Sequence, residues 1–600
     1  MSSARAEWDF DYRSASGWSA AGPPIRAVVV AFEEHVSAER VRAALVVETG
    51  GEPAVEPVLA RPPLFWLQVT SSEPLDGDRL AAALAGLGGG VRYVTPSQLG
   101  SQAWAPALRT PRAAVARPEG WAVRGATTAA ESRDGGHWFL SSKGGGVATE
   151  RAATGTGAGS RLAVIDDDAA GAGALDLDAE VLLGVPTAPR AQAHGAQMVG
   201  WAVGAPRASP PFRGVAPDAS PRLYLIPKPG TDVVALPCAI VRAVSDGADV
   251  VVCATYIEGS WSPMLDDALA FAERLGRGGL GAVVVLPTGR ETSSPPGSVH
   301  ASLSLSFGDP AADPRVLCVA PAARAGGWFF YRDRKRLARP FANRGPSVRL
   351  LAPGDDIAWP LGDGGRLCHA ESSGASAIAA GVALLVIANN PTLRLDEIFA
   401  VLETTLRDVP PAVDPEQGPF ADPHDTRPPG RDRDGHNAKH GYGALHAERA
   451  CLAAADPVSW ALVRTGELEA ARAFAALRLA DPSLRAAYST DLARWMVRAL
   501  LADARASHAM RALVRHARLL SAEPRRARAF PPGAFARQLA LLLRGLAEGS
   551  AIGRPPPRAR REIRACLARL AEDATRFEES CSTLARRVFE GPPEGAPSPR

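Results

Sequence analysis

Between residues 156 and 456, short and fully apolar segments alternate with helical patterns. The apolar segments are LAVID, LYLIP, ADVVVCATY, GAVVVLP and RVLCVA, and two of the helical ones are AHGAQMVGWAVG and MLDDALAFAERLG. Strands that are apolar on both faces are typical of a parallel sheet covered by helices on both sides. The alternation therefore predicts an α/β domain over residues 156–456, with its chemistry beyond the carboxyl ends of the strands.

The flanking regions carry different patterns. Residues 25–97 alternate strands with helices and predict a small α+β module, which is preceded by an N-terminal tail at 1–24. Residues 98–155 are rich in Ala, Gly, Arg and Pro and are interpreted as a linker with one anchoring aromatic patch, HWFLSS. Residues 457–600 are rich in Ala, Leu and Arg and are broken by prolines, which predicts an all-α C-terminal domain.

Composition argues against several classes of protein. The 67 basic and 64 acidic residues are interleaved and give a net charge of +3, so no nucleic-acid-binding surface is predicted. The first residues lack a signal-peptide pattern, and the longest apolar stretch, ASAIAAGVALLVIA, is shorter than a membrane span. These features predict a soluble, cytoplasmic protein with no membrane partner. Seven cysteines without a C-x-x-C pair indicate reduced thiols rather than disulfides or a zinc site.

Three polar residues stand at the ends of predicted elements. Asp166 follows the apolar run LAVI, His194 begins a helical run, and Ser373 opens a helix that is apolar on all sides. Singly these are ordinary positions for a turn Asp, a surface or core His and an N-cap Ser. Together, in this order, they predict a relay in which a carboxylate orients an imidazole that deprotonates a hydroxyl. His300 and His369 are rival bases, but neither is followed by a glycine and an apolar helical run, as His194 is.

The segments around these residues resemble the subtilisin-like serine peptidases, the subtilase or peptidase S8 family. AVIDDD is similar to the family motif A-V-I-D-[ST]-G, HGAQMVGWAVG to H-G-T-x-V-A-G, and ESSGASAIAAGVALL to G-T-S-M-A-A-P-H-V-A-G-V-A-A-L. The resemblance covers most of residues 156–456. It implies a subtilisin-like fold, a protein or peptide substrate, and a reaction that requires no metal or organic cofactor. It also implies that Asp166 orients the imidazole, His194 is the general base and Ser373 is the nucleophile.

Several residues depart from these motifs. Arg290, in VVVLPTGRETS, stands where the family has the asparagine that completes the oxyanion hole. Glu371 replaces a glycine two residues before Ser373, and Asp167 and Asp168 replace the two residues after the catalytic aspartate. Losing one oxyanion donor typically costs roughly 3–4 kcal/mol of transition-state stabilisation, although arginine can itself donate hydrogen bonds. Two functions therefore stay open: a serine endopeptidase, and a catalytically weak or inactive subtilase-fold binding or regulatory protein.

The resemblance also bears on the terminal regions. The module at 25–97 resembles the prodomain that precedes many subtilases. Whether it is cleaved off in the following linker or stays as a recognition domain is left open. The helices of 457–600 carry no catalytic signature, and they either pack against one another or bind a protein partner.

Overall fold

The computed structural model describes the central domain and the module that precedes it, with gaps. The described residues are 26–96, 137–142, 146–149, 155–168, 179–182, 193–206, 211–226, 234–253, 262–289, 311, 313–324, 330–332, 338–340, 342–343, 347–355, 357–358, 367–368, 371–409, 413–414, 418–419, 436–437, 440–455, 457–464, 466, 468–469 and 471–472. The strands are β1 (Ala27–Phe32), β2 (Ala54–Arg61), β3 (Leu64–Thr70), β4 (Val91–Pro96), β5 (Arg161–Asp166), β6 (Ala179–Val181), β7 (Gly204–Ala205), β8 (Phe212–Arg213), β9 (Ser220–Leu225), β10 (Val250–Cys253), β11 (Val283–Pro287), β12 (Val316–Ala322), β13 (Phe330–Arg332), β14 (Ala338–Pro340), β15 (Leu350–Pro353), β16 (Ile357–Ala358), β17 (Leu367–Cys368), β18 (Val413–Asp414) and β19 (Gly418–Pro419). The α-helices are α1 (Ala38–Leu45), α2 (Gly77–Leu84), α3 (His194–Ala202), α4 (Ala235–Ser245), α5 (Pro263–Leu275), α6 (Glu371–Asn389), α7 (Leu395–Thr404), α8 (Ala447–Ala455) and α9 (Pro457–Arg464).

A seven-stranded sheet forms the centre of the α/β domain. Its strand order is β15-β12-β11-β10-β5-β9-β6, and every neighbouring pair is parallel. Every residue of β10 (VVVC) and β11 (VVVLP) is buried. Parallel strands need crossover connections, which place helices against the sheet. The predicted α/β fold with a parallel sheet is confirmed.

Successive residues of β5 point to opposite faces of this sheet. Leu162 and Val164 pack in a cluster with residues of α3 and α6, whereas Ala163 and Ile165 pack in a second cluster with residues of α4 and α5. Burying one large aliphatic side chain stabilises the fold by about 1.5–3 kcal/mol. Because both faces are covered, the strand reads as a continuous apolar run rather than as an alternating one.

The N-terminal module has a four-stranded antiparallel sheet in the order β2-β3-β1-β4. Val28 and Val30 of β1 pack with α1 and α2 on one face of this sheet. The sequence pattern does not predict β2, because the segment EPAVEPVLARP contains prolines that argue against a central strand. β2 lies at the edge of the sheet, where Pro57 removes no hydrogen bond that a second neighbour would need.

The other face of the module's sheet packs on the α/β domain. Ala31 and Trp66 are fully buried in the cluster that contains α4 and α5. At the same contact, Asp267 of α5 accepts hydrogen bonds from both terminal guanidinium nitrogens of Arg92 (2.8 and 2.5 Å) and from the hydroxyl of Tyr93 (2.8 Å). Burial and the Asp267 carboxylate raise the pKa of Tyr93 well above its usual value. The module is therefore attached by apolar packing and by one buried carboxylate with three donors.

Part of the predicted linker belongs to the core of the α/β domain. Trp138 and Phe139, in the HWFLSS patch, are fully buried in the cluster that contains α3 and α6. The ring of Phe139 stacks on Phe212 of β8 with 6.1 Å between centroids. The carbonyl of Val147 accepts a hydrogen bond from the main-chain N–H of Ala447 at the start of α8 (2.6 Å). The remainder of the predicted linker lies largely outside the described residues.

This packing predicts a large loss of stability when the indole is removed. We expect Trp138→Ala to lower the free energy of unfolding by about 3–5 kcal/mol, because it leaves a cavity in the core. Trp138→Phe, which keeps an aromatic ring, is the matched control and should cost clearly less. Equilibrium urea unfolding of both variants measures the difference. Equal stability of wild type and Trp138→Ala would mean that this segment is a linker after all.

The predicted C-terminal helical domain falls mostly outside the described residues. Trp460 of α9 is buried in the core of the α/β domain, and its indole N–H donates to the hydroxyl of Thr404 in α7 (2.8 Å). α9 therefore packs on the α/β domain, although its residues come after the boundary predicted at 456. The all-α structure of the following residues stays a prediction.

α6 is the one helix among the described residues that is long and apolar enough to cross a membrane by length and composition. The apolar run ASAIAAGVALLVIA is shorter than a membrane span, but the helix that contains it begins earlier, at Glu371. Of the segment Ser372–Asn389, 83% is buried inside the protein. That is the environment of a helix in a protein core.

Candidate active site

Asp166 is the last residue of β5 and lies at the carboxyl edge of the parallel sheet. Its side chain is fully buried. Oδ2 accepts a hydrogen bond from Nδ1 of His194 (2.7 Å), and Oδ1 accepts one from the main-chain N–H of Asp168 (3.0 Å). A buried carboxylate is costly unless it has such partners. Here each of its oxygens has one.

The imidazole of His194 is held on one side and accessible on the other. Since a carboxylate oxygen faces Nδ1, that nitrogen carries the hydrogen, and Nε2 is the proton acceptor. The side chain is 35% exposed, so a substrate can reach it. In this state the ring can act as a general base toward a hydroxyl group.

Gly195 allows α3 to approach the end of β5. A Cβ at this position would lie 3.0 Å from the Cβ of Asp166 and 3.0 Å from the carbonyl oxygen of Asp168, which is tighter than almost all real contacts of this kind. The histidine–glycine pair in the sequence thus has a physical reason. Glycine lets the backbone that carries His194 lie directly against Asp166.

Ser373 lies in the first turn of α6 and is half-buried. The first N–H groups of a helix have no acceptor within it and lie at its positive end, so they can bind a developing negative charge. α6 packs directly on α3: at Gly381, in the middle of α6, a Cβ would lie 2.9 Å from the carbonyl oxygen of Ala202, the last residue of α3. The helix of Ser373 and the helix that begins at His194 are therefore packed backbone to backbone.

A comparison with family models identifies the domain that carries these residues. Residues 163–443 match the model of the subtilase family, Peptidase_S8. This segment is a subtilase domain. The match includes Asp166, His194 and Ser373, and it confirms the resemblance of the sequence motifs to that family.

Solved structures match the chain at low sequence identity. MycP1 from Mycobacterium smegmatis is 20% identical, with 52% of this chain and 84% of that chain covered and a TM-score of 0.37. The epidermin leader peptide processing serine protease from Staphylococcus aureus is 14% identical, with 71% and 99% covered and a TM-score of 0.43. Fervidolysin from Fervidobacterium pennivorans, a keratinolytic enzyme related to subtilisin, is 17% identical, with 71% and 61% covered and a TM-score of 0.44. No curated protein matches the chain.

Two departures from the subtilase motifs are not open to structural description. Arg290 lies outside the described residues, and only the backbone of Glu371 is described. The strand end that leads to Arg290 is fixed: the main-chain N–H of Thr288 donates to the carbonyl of Val319, and the side-chain amide of Asn343 donates to the carbonyl of Thr288 (both 2.9 Å). Asn343 was not among the predicted site residues. Its place in FANRGPS, which is similar to the family motif F-S-N-x-G, is the signal that finds it.

The other sequence-based candidates are rival bases and metal ligands. His300 and His369 lie outside the described residues. Within the part of the chain that the structure describes, no group of three or more His, Cys, Asp or Glu side chains is placed to hold a metal ion. The absence of a cofactor stays a prediction from the family resemblance.

Asp168 is a residue of this site that the motifs did not identify. It is 1% exposed, and its Oδ2 accepts a hydrogen bond from the main-chain N–H of His194 (3.1 Å). In the sequence it is only a departure from the subtilase motif. Ala193, which precedes the helix, has no side-chain acceptor to cap it, but nothing in the sequence identifies Asp168 as the residue that supplies one.

Proposed function

We propose that the chain is a serine endopeptidase of the subtilase type that hydrolyses peptide bonds in protein or peptide substrates. The observation that carries the proposal is the 2.7 Å hydrogen bond between Asp166 and Nδ1 of His194 at the carboxyl edge of the parallel sheet. The subtilase match over 163–443 supports it, and so does the packing of the helix of Ser373 on α3. The predicted cytoplasmic location stays a prediction.

The three residues of the proposed triad have different roles in this mechanism. The Ser373 hydroxyl oxygen attacks the carbonyl carbon of the scissile bond while Nε2 of His194 takes its proton. His194 then passes that proton to the leaving amine, the C–N bond breaks, and an acyl-enzyme ester forms on Ser373. Water, deprotonated by the same imidazole, hydrolyses the ester and restores the serine. Asp166 holds the ring in the required tautomer and stabilises the imidazolium.

The oxyanion of each tetrahedral intermediate needs hydrogen-bond donors. The main-chain N–H of Ser373, at the positive end of α6, is the first donor in the proposal. Arg290 holds the position of the family asparagine and is the proposed second donor, since a guanidinium carries five N–H groups.

The N-terminal module is proposed to be prodomain-like. Its sheet packs against α4 and α5, and Arg92 and Tyr93 bind the buried carboxylate of Asp267. A module attached by these contacts can regulate access of a substrate to the active site only if it dissociates or moves. The labelling experiment below therefore includes a variant that weakens this contact.

A second candidate function is a subtilase-fold binding or regulatory protein with weak or no activity. Arg290 at the asparagine position and Glu371 two residues before Ser373 favour it. A carboxylate close to the nucleophile opposes the negative charge of an oxyanion. In this alternative the terminal regions supply the contacts with partners.

Labelling with a fluorophosphonate probe separates the two functions. An activated serine attacks the phosphorus and releases fluoride, whereas an ordinary serine does not react. We expect the full-length chain to be labelled, and peptide mass spectrometry to place the label on Ser373. Heat-denatured protein is the control and should not react.

The same measurement is made on the double variant Arg92→Ala/Tyr93→Phe, in which the module loses its donors to Asp267. Faster labelling of this variant supports the prodomain-like role. The absence of label in both folded proteins would reject the peptidase and favour the binding protein.

A further inference from the structure

The helix that begins at His194 lacks a cap from its own N-terminal neighbour. The N-cap residue, Ala193, has no side-chain acceptor and adopts the left-handed conformation, with φ of 50°. The first N–H groups of a helix need acceptors from outside it. Ser, Thr, Asp or Asn commonly supplies one from the N-cap position.

Asp168 supplies that acceptor from the end of β5. Its Oδ2 accepts the main-chain N–H of His194 at 3.1 Å. Its own main-chain N–H donates to Oδ1 of Asp166 at 3.0 Å. One residue thus contacts both members of the Asp166–His194 pair, on the backbone of the base and on the carboxylate that orients it.

Asp168 is 1% exposed. A buried carboxylate is favoured at the positive end of a helix, where the backbone dipoles and free N–H groups stabilise negative charge. The family motif has glycine at this position, so a side-chain cap of this kind depends on a departure of this chain from that motif.

We propose that Asp168 is a positioning residue for the general base. By capping the N–H of His194, it fixes where α3 begins and so the position of the imidazole between Asp166 and the nucleophile. The inference rests on the proposed peptidase function, because it concerns how His194 is held for that reaction. Asp168 itself touches no reacting atom in this role.

Three variants of the full chain test the role. Asp168→Ala removes the acceptor, and Asp168→Asn keeps an acceptor oxygen but removes the charge. Ser262→Ala is the matched control: Ser262 is also buried and caps another helix, α5, through Leu265 (3.2 Å). Saturation kinetics with the fluorophosphonate probe give the maximal inactivation rate and the half-saturating concentration separately, and thermal unfolding gives the stability of each variant.

We expect Asp168→Ala to lower the maximal inactivation rate at least tenfold, since displacing a catalytic group by about 1 Å can cost about 10²-fold. Its half-saturating concentration should stay unchanged, because the probe is bound by other groups. Asp168→Asn should restore the rate to within about threefold of wild type, because a neutral amide oxygen still caps the helix. Ser262→Ala should lower stability without changing the rate.

Equal rates for Asp168→Ala and wild type would overturn the inference and leave the peptidase proposal intact. A rate loss in Ser262→Ala as large as in Asp168→Ala would overturn it too, since the effect would then reflect stability alone. If wild type itself is not labelled, the peptidase function fails and this inference fails with it. If Asp168→Ala does not fold, Asp168→Gly, which installs the glycine of the family motif, replaces it with the same expected loss of rate.

Discussion

The Ser373→Ala variant is expected to hydrolyse peptide bonds about 10⁶-fold more slowly than wild type, because the attacking oxygen is gone while the fold is retained. The substitution removes one hydroxyl from the first turn of α6, and alanine is the best helix former. Release of fluorescence from a self-quenched protein substrate measures the rate. Thermal unfolding checks that α6 still packs.

The neighbouring serine gives a matched control. Ser372 is 5% exposed, and its carbonyl accepts a hydrogen bond from the hydroxyl of Ser376 (2.9 Å), which an alanine at 372 preserves. Ser372→Ala should therefore keep activity within about threefold of wild type, since substitutions that leave the catalytic groups in place change activity little. Loss of activity in Ser372→Ala together with full activity in Ser373→Ala would move the nucleophile to Ser372.

The parallel sheet was predictable because strands that are buried on both faces consist almost entirely of apolar residues. VVVC and VVVLP are strands with every residue buried, and no other element accounts as well for such short apolar runs between helices. The position of Asp166 was predictable for the same reason, since sites in parallel sheets lie beyond the carboxyl ends of the strands. The position of His194 at the start of α3 was predictable from the apolar helical run that follows it, whereas the close approach to Asp166 that Gly195 allows is visible only in the structure.

Other features depend on contacts between residues that are distant in the chain. The cap of α3 comes from Asp168, which a local pattern cannot reveal because helix caps are read from the preceding residue. The sequence pattern does not predict β2, because Pro57 argues against a strand. The proline is tolerated because β2 lies at the edge of the sheet. Trp138 lies in a stretch poor in periodicity, where its aromatic patch predicted an anchor but not the core cluster that it joins. Trp460 likewise belongs to a core whose other members come from earlier segments.

Replacing Asp166 by asparagine is expected to lower the rate of hydrolysis by about 10⁴-fold without unfolding the protein. In the proposed mechanism the carboxylate accepts a hydrogen bond from Nδ1 of His194, so that Nε2 takes the proton of Ser373. An amide can turn its NH₂ group toward Nδ1, which then becomes the acceptor, and the proton moves to Nε2. The imidazole in that tautomer cannot act as the base, and its cation also loses the neighbouring negative charge.

Asp249→Asn is the matched control for this change. Asp249 is also a largely buried carboxylate of the same domain. It lies just before β10, at the amino ends of the parallel strands and so at the end of the sheet opposite to Asp166. There it accepts a hydrogen bond from the main-chain N–H of Arg161 (2.8 Å). Its substitution should leave the rate within about twofold of wild type, because it is remote from the relay. Steady-state hydrolysis by both variants, with thermal unfolding to compare their stability, measures the difference. A similar small loss in Asp166→Asn and Asp249→Asn would mean that the Asp166–His194 bond serves the fold and not the reaction, and the binding protein would then be the better account of this subtilase domain.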